Sequence, residues 1–358
     1  MSSSTSLRPG VAGRQTVIGA VVLATMASTC IPLDIAAHDE SLRMFFNRDE
    51  RKKERQSGGT QHAPREFFLD SDVKLIYDEL PMADYSRGGF YVIGASNASS
   101  ACSFWELEPR ERALIHNYGM LGTSHLMQFQ LVRYLVEQKG LLQAGPEKTM
   151  ILFGVSHHCA IPEGEGNAHF RDSWERYGCY KVPVTGDIEA VPMSDVKRFI
   201  RIERMRVAGL IERSLTWAVY TGLGLNRPSR EPRTAQDYAR RIKGRAGSNW
   251  ETKVDEQVVE FGRMLDYLQE RDVPMAVVFL PLGAIEDELP YEARYNRAVS
   301  EVCRERRVPL LDWSRMVSEE DFGVGYHLSV RGMEKVHPEI LKIAREHLKS
   351  TGALSDGT

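Results

Sequence analysis

The stretch "FYVIGASNASS" (residues 90–100) is a short apolar run that ends at Gly94 and opens into small, hydroxylated residues. Ser96 leaves that run where a helix would begin, a place where the helix dipole stabilises a developing anion and a serine can act as nucleophile. The same place suits a plain helix cap, so residues elsewhere have to decide. "NYGMLGTS" (117–124) brings Gly119 and Gly122, where a backbone without Cβ can approach a ligand and the Gly122 N–H can face a substrate oxyanion. "FGVSHH" (153–158) ends a further apolar run with Ser156, a second polar donor, and His157, a pocket wall or substrate contact. Asn97 belongs to the Ser96 turn. Near the C-terminus, "DFGVGYHLSVRG" (321–332) sets His327 in a loop before the last helix, within reach as a general base. A nucleophile, oxyanion donors and a base, in that order, spell acyl transfer through a covalent intermediate. His125, His157, His158 and His169 share neither an i, i+4 spacing nor any other ligand pattern, so neither a metal nor a cofactor is expected.

These residues need a scaffold that brings strand ends together. Apolar runs at 90–94, 148–158, 274–283 and 308–313, with another opening the segment 113–140, alternate with amphipathic stretches. Those stretches are 255–272, 291–307, 333–350 and a helix through Leu126, Met127, Leu131, Tyr134 and Leu135. Strands alternating with helices imply an α/β fold with a doubly wound, mainly parallel sheet, whose right-handed crossovers put every strand-to-helix turn at one edge. Residues 160–250 break the rhythm and hold a helix around 195–220. A segment that long inside a compact fold reads as a lid or a docking surface. Its Trp174 and Trp217 suit either stacking on sugars or packing.

The 358 residues carry a net charge of −3 with 27% charged residues of both signs intermixed, which argues against a nucleic-acid partner. Residues 1–15 hold Arg8 and Arg14 and precede an uncharged run, Thr16 to Leu33, that as a helix would rise about 27 Å. Asp34, Asp39 and Glu40 follow it, so the basic side is expected to stay in the cytoplasm and the body of the protein outside it, held by a single-pass anchor. A cleaved signal peptide and a lipidated Cys30 are the rival readings. Residues 34–85 read as a stalk and lead-in that includes the charge run "RDERKKER" (48–55), residues 86–350 as the folded domain and 351–358 as a tail. Outside the membrane remain Cys102, Cys159, Cys179 and Cys303, either as buried thiols or with a Cys159–Cys179 bridge at the base of the insertion.

The order of the chemical pieces resembles the SGNH/GDSL hydrolase superfamily, over roughly residues 86–350 without the insertion. The blocks of that family are Gly-Asp-Ser, Asn-x-Gly-x-x-Gly, Gly-x-Asn-Asp and Asp-x-x-His. The resemblance implies a flavodoxin-like three-layer sandwich, Ser96 as nucleophile, His327 as base, and the N–H groups of Gly122 and Ser96 as oxyanion donors. It departs at Ala95, in place of the first block's Asp, and at Ser156, where the third block has its Asn. Val324 stands three before His327, where the carboxylate belongs. Three arrangements remain open: Asp321 orients His327, a backbone carbonyl does so in a Ser–His dyad, or the site is degenerate. An anchored, extracytoplasmic member of this family resembles the branch that includes the D-alanylation protein DltD and the alginate O-acetylation proteins. That implies an O-acyl transferase or esterase acting on a cell-surface polysaccharide beside a membrane-bound O-acyltransferase. The alternative is a catalytically silent scaffold that binds the acyltransferase or the polymer.

Overall fold

The computed structural model describes residues 71–102, 107–161, 168–204, 239–240, 243–244, 246–283, 289–322 and 327–354. The proposed membrane segment 16–33, the charge run 48–55 and Val324 lie outside them.

Three strands are apolar on both faces, as a sheet covered on both sides requires. In β1 (Gly89–Gly94) every residue is buried. Tyr91 and Ile93 join one core, Phe90 and Val92 the other. The same alternation runs through β3 (Thr149–Val155) and β6 (Met275–Phe279). With β2 (Ile115–Gly119) and the short β7 (Leu310–Asp312) they form a sheet of order β2-β1-β3-β6-β7, parallel at every pairing. The order reverses between β1 and β3. In open parallel sheets that reversal opens a crevice at the carboxyl edge, where ligands bind.

Helices cover both faces. α1 (Ser71–Lys74) precedes the sheet, and α2 (Ser96–Ala101) follows β1 at once. α3 (His125–Arg133) follows β2, α4 (His157–Ala160) follows β3, and α5 (Ala168–Glu175) lies within the insertion. α6 (Trp250–Gln269), α7 (Glu292–Glu305) and α8 (Val330–Ser350) complete the layers. α3, α6 and α7 bury Leu131, Phe261, Leu265 and Tyr295 on one face. α2 and α8 bury Ala98, Met333, Val336, Ile340 and Ala344 on the other. The spacing of those α8 residues is the three-and-four step of an amphipathic helix. Ser329 caps it, accepting the Gly332 N–H, so the helix begins three residues before the expected Met333.

Two expectations change. The lead-in does not extend to residue 85: Val73, Ile76, Tyr77, Leu80 and Tyr85 are core residues, so the folded unit includes the described chain from residue 71 onward. The Cys159–Cys179 bridge is not formed. Both are free, buried thiols, Cys159 accepting from Gln128 Nε2 at 3.1 Å and Cys179 donating to the Tyr177 carbonyl at 3.6 Å. The insertion holds α5, the two-stranded ribbon β4 (Tyr180–Lys181) and β5 (Glu189–Ala190), and a helical stretch at 195–204. Among the described residues no helix is long and apolar enough to cross a membrane.

Candidate active site

Three glycines stand level at the carboxyl edge: Gly94 of β1 is in register with Gly119 of β2 and Gly154 of β3. A Cβ on Gly94 would come within 2.5 Å of both Ala98 Cβ and the Gly154 carbonyl oxygen. One on Gly154 would meet Leu280 Cδ1 at 2.8 Å and Ala98 Cβ at 2.9 Å, and one on Gly119 would strike the Ser99 backbone nitrogen. Bare backbone at these positions lets α2 lie directly on the strand ends. Asn117 fastens it there. Its Nδ2 donates to the carbonyls of Ala98 at 3.3 Å and Ser99 at 3.0 Å, while its Oδ1 accepts the Gly119 N–H at 2.9 Å.

Ser96 is the first residue of α2, and the extended cap position belongs to Ala95. The helix-cap reading therefore does not account for Ser96. It is buried, 5% exposed, one peptide beyond the cap. The β2–α3 turn is bound to the strand beneath it: the Gly94 carbonyl accepts the Met120 N–H and the Thr123 hydroxyl, each at 3.0 Å. Thr123 also donates to the Met120 carbonyl at 3.0 Å. Gly122 sits in this turn at φ +64°, the left-handed region that favours glycine.

Ser156 follows β3 directly and precedes α4, and it is buried. His157 opens α4; its side chain lies outside the described residues. Asn97 is buried in the first turn of α2. The sheet topology thus collects Ser96, Asn97, Gly122, Ser156 and His157 at one edge.

His327 arrives from the far end of the chain. It is half-buried, next to the bridge between Phe322 and Leu328 that closes its loop, and two residues before the cap of α8. α8 packs on α2 and β1. In a parallel α/β sheet the helices run against the strands, so the α8 N-terminus, and His327 with it, belongs to the same carboxyl edge as Ser96.

Asp321 is bonded within its own turn and to α8. Its buried carboxylate accepts from Ser318 N at 2.8 Å and Ser318 Oγ at 2.9 Å, closing a capping box. Lys335 Nζ stands 2.6 Å and Arg331 Nε 3.2 Å away. Burial pushes its pKa up, but Lys335 and the Ser318 bonds outweigh that and hold it below the usual carboxylate range. The Asp321 carbonyl accepts both the N–H and the hydroxyl of Ser329, each at 2.8 Å. The Ser318 and Lys335 hydrogen bonds go to Oδ2, with Arg331 beside Oδ1, so Asp321 ties its own turn to the start of α8. Asp312, at the end of β7, accepts from Ser314 N at 3.0 Å and Oγ at 2.6 Å, the turn-capping role its position suggests.

Behind Ser156, a buried polar row crosses the core. His125 lies 2.7 Å from the Tyr295 hydroxyl and 3.1 Å from Gln128 Oε1, and Gln128 reaches Cys159. Burial pushes His125 down to about 3, so it is neutral. Trp174 is fully buried, edge-on to Tyr134 and Tyr180, and is a core residue rather than a sugar platform; Trp217 lies outside the described residues. Among the described residues no group of three or more His, Cys, Asp or Glu is arranged to hold a metal ion.

Asn117 and Thr123 lie in the segment "NYGMLGTS", and only their hydrogen bonds reveal their part. Asp72, which reaches the same turn from α1, has no local sequence signal.

No protein-family model and no curated protein matches the chain. Among solved structures, the chain is similar to an acylhydrolase-like protein from Bacteroides fragilis, at 10% identity and a TM-score of 0.40, over 78% of this chain and 99% of that one. It is also similar to a GDSL-like lipase from Bacteroides thetaiotaomicron, at 9% identity and a TM-score of 0.36, over 83% and 97%.

Proposed function

We propose that this protein is an SGNH-type serine acyl transferase or esterase working as a Ser–His dyad. The observation that carries the proposal is the seat of Ser96. It lies beyond the cap of α2, at the reversal of strand order, beside a glycine turn hydrogen-bonded to its own strand. Ser96 Oγ attacks the ester carbonyl while its proton passes to His327. The N–H groups of Gly122 and Ser96 hold the oxyanion of the tetrahedral intermediate. Collapse breaks the ester C–O bond, and His327 returns the proton to the leaving alkoxide. A second hydroxyl, from water in an esterase or from a polymer in a transferase, then attacks the acyl-enzyme while His327 takes its proton; collapse breaks the acyl–Ser96 bond, and His327 returns the proton to Ser96 Oγ.

The finer reading is O-acyl, and first of all acetyl, chemistry on a cell-surface polysaccharide. In it the protein is anchored by residues 16–33, faces away from the cytoplasm and is partnered by a membrane-bound O-acyltransferase. The uncharged run at 16–33, the basic residues before it and the motif order support it. The second reading, a silent scaffold that binds the acyltransferase or the polymer, is favoured by the engagement of Asp321 with Ser318, Lys335 and Arg331, together with Val324 at the carboxylate position.

A fluorophosphonate probe applied to the full chain tests the proposal. Labelling at Ser96, abolished in Ser96→Ala and slowed in His327→Ala, is the expected result. An unlabelled Ser96 in folded protein favours the scaffold.

A further inference from the structure

Asp72 is 1% exposed, yet it is a carboxylate. A buried carboxylate persists only where hydrogen bonds or charge replace its lost water. Here the Leu121 N–H reaches both of its oxygens, Oδ1 at 3.3 Å and Oδ2 at 3.2 Å. Leu121 is the residue between Met120, which is bonded to the Gly94 carbonyl, and Gly122, the candidate oxyanion donor. From the insertion, His169 of α5 presents Nε2 to Asp72 Oδ2 at 3.3 Å. The histidine end of this pair is half-exposed and its acid end is sealed. The glycine turn is thus held from two sides: Thr123 ties it down to β1, and Asp72 draws the Leu121 N–H outward to α1.

We infer that Asp72, held by His169, is a positioning residue for the oxyanion turn. It occupies the Leu121 N–H and so fixes the Met120–Leu121 peptide, directly before the peptide that presents the Gly122 N–H. Two consequences follow. Leu121 is not itself an oxyanion donor, because its hydrogen is committed to a carboxylate. And the insertion that interrupts the sheet is coupled to the reaction edge through His169, so a ligand that moves α5 acts on the turn. The inference rests on the serine acyl reading for its catalytic consequence and on geometry alone for the positioning.

The test uses the full chain with Asp72→Ala, Asp72→Asn and His169→Ala, and two readouts. The first is deuterium exchange of peptides spanning residues 119–126, with α6 and α8 as internal references. The second is the rate of fluorophosphonate labelling at Ser96. Asp72→Ala is expected to raise exchange in the turn alone and to slow labelling about 10- to 100-fold, somewhat less than outright loss of an oxyanion donor. Asp72→Asn, which keeps an oxygen acceptor, recovers part of both, and His169→Ala gives a weaker version of the alanine effect. Should Asp72→Ala fail to fold, the asparagine and His169 variants decide by the same readouts. Turn exchange that stays at the wild-type level, or that rises equally in α6 and α8, overturns the positioning role. A loosened turn with unchanged labelling overturns its service to Ser96. If wild-type Ser96 takes no label, the serine reading fails, and the exchange result alone then upholds or overturns Asp72 as the residue that fixes the turn.

Discussion

The Thr123 hydroxyl donates to the carbonyl oxygen of Gly94 at 3.0 Å, joining the turn after β2 to the last residue of the strand that delivers Ser96. The nucleophile and its oxyanion donor are therefore mounted on one hydrogen-bonded unit, and their separation does not depend on a mobile loop. Because the same hydroxyl also reaches the Met120 carbonyl, a single atom braces the turn internally and ties it to the strand.

Thr123→Val keeps the shape and removes that atom. The Gly94 carbonyl retains the Met120 N–H, so the cost to folding is about 1–2 kcal/mol. Labelling of Ser96 is expected to slow by more than this loss of stability explains, since under folding conditions the protein stays native. Urea unfolding and probe kinetics on the same sample check both, and an unchanged labelling rate would separate Thr123 from the site.

Asp321→Asn distinguishes an anchor from a catalytic carboxylate. The pairs with Lys335 and Arg331 join a buried acid to partly exposed cations, so their loss is screened; with the weakened capping box the expected cost is about 1–2 kcal/mol. Catalysis is expected to fall less than about 10-fold, whereas removing a carboxylate that orients a catalytic histidine costs about 10⁴-fold. A loss approaching the larger figure in kcat, with the protein still folded, would return Asp321 to the triad.

Gly119→Ala tests the close seat of α2. The added Cβ meets the Ser99 backbone nitrogen, which cannot move without shifting the helix that begins at Ser96. Overpacking of this kind costs about 1–3 kcal/mol. The thermal midpoint should drop and Ser96 labelling should fall with it. A tolerated alanine with full labelling would mean that α2 has slack the geometry does not show.

How far the sequence carried this reading follows from where its signals are local. Strands such as "FYVIG" and "MAVVF" announce themselves because burial on both faces leaves no polar position, and β1, β3 and β6 lie where the runs place them. The meeting of Ser96, Gly122 and Ser156 at one edge was legible because strand ends in a parallel sheet share an edge. Three things were not legible. The core role of residues 71–85 hides in a short segment with no strong period, whose apolar residues gain meaning only against Tyr118 and Trp174. The bonds from Asp72 to Leu121 and from Asn117 to α2 join residues distant in sequence by unremarkable types. And the bonds of Asp321 to Ser318 and Lys335 were hidden in its place six residues before His327, because spacing does not reveal which way a carboxylate faces.

His125 gives the last prediction, in pH. Its ring is packed 4.5 Å from that of Phe261, with Tyr295 and Gln128 at its two nitrogens, and burial pushes its pKa down to about 3. In the unfolded chain an imidazole titrates near 6.5. Between those two values the unfolded state binds a proton that the folded state refuses, so stability is full above about 6.5 and is lost as pH falls toward 3. At pH 5 the single group removes about 2 kcal/mol. His116 and His347, also pushed down by burial, act in the same direction. Replacing His125 by phenylalanine leaves the Tyr295 and Gln128 groups without their partner, at about 1–3 kcal/mol near neutrality. It also removes one proton from the linkage, so urea midpoints at pH 7.5 and pH 5 should lie closer together in the variant than in the wild type. If the two proteins lose stability in parallel across that interval, His125 is protonated in the fold, and the buried row it forms with Tyr295, Gln128 and Cys159 carries charge.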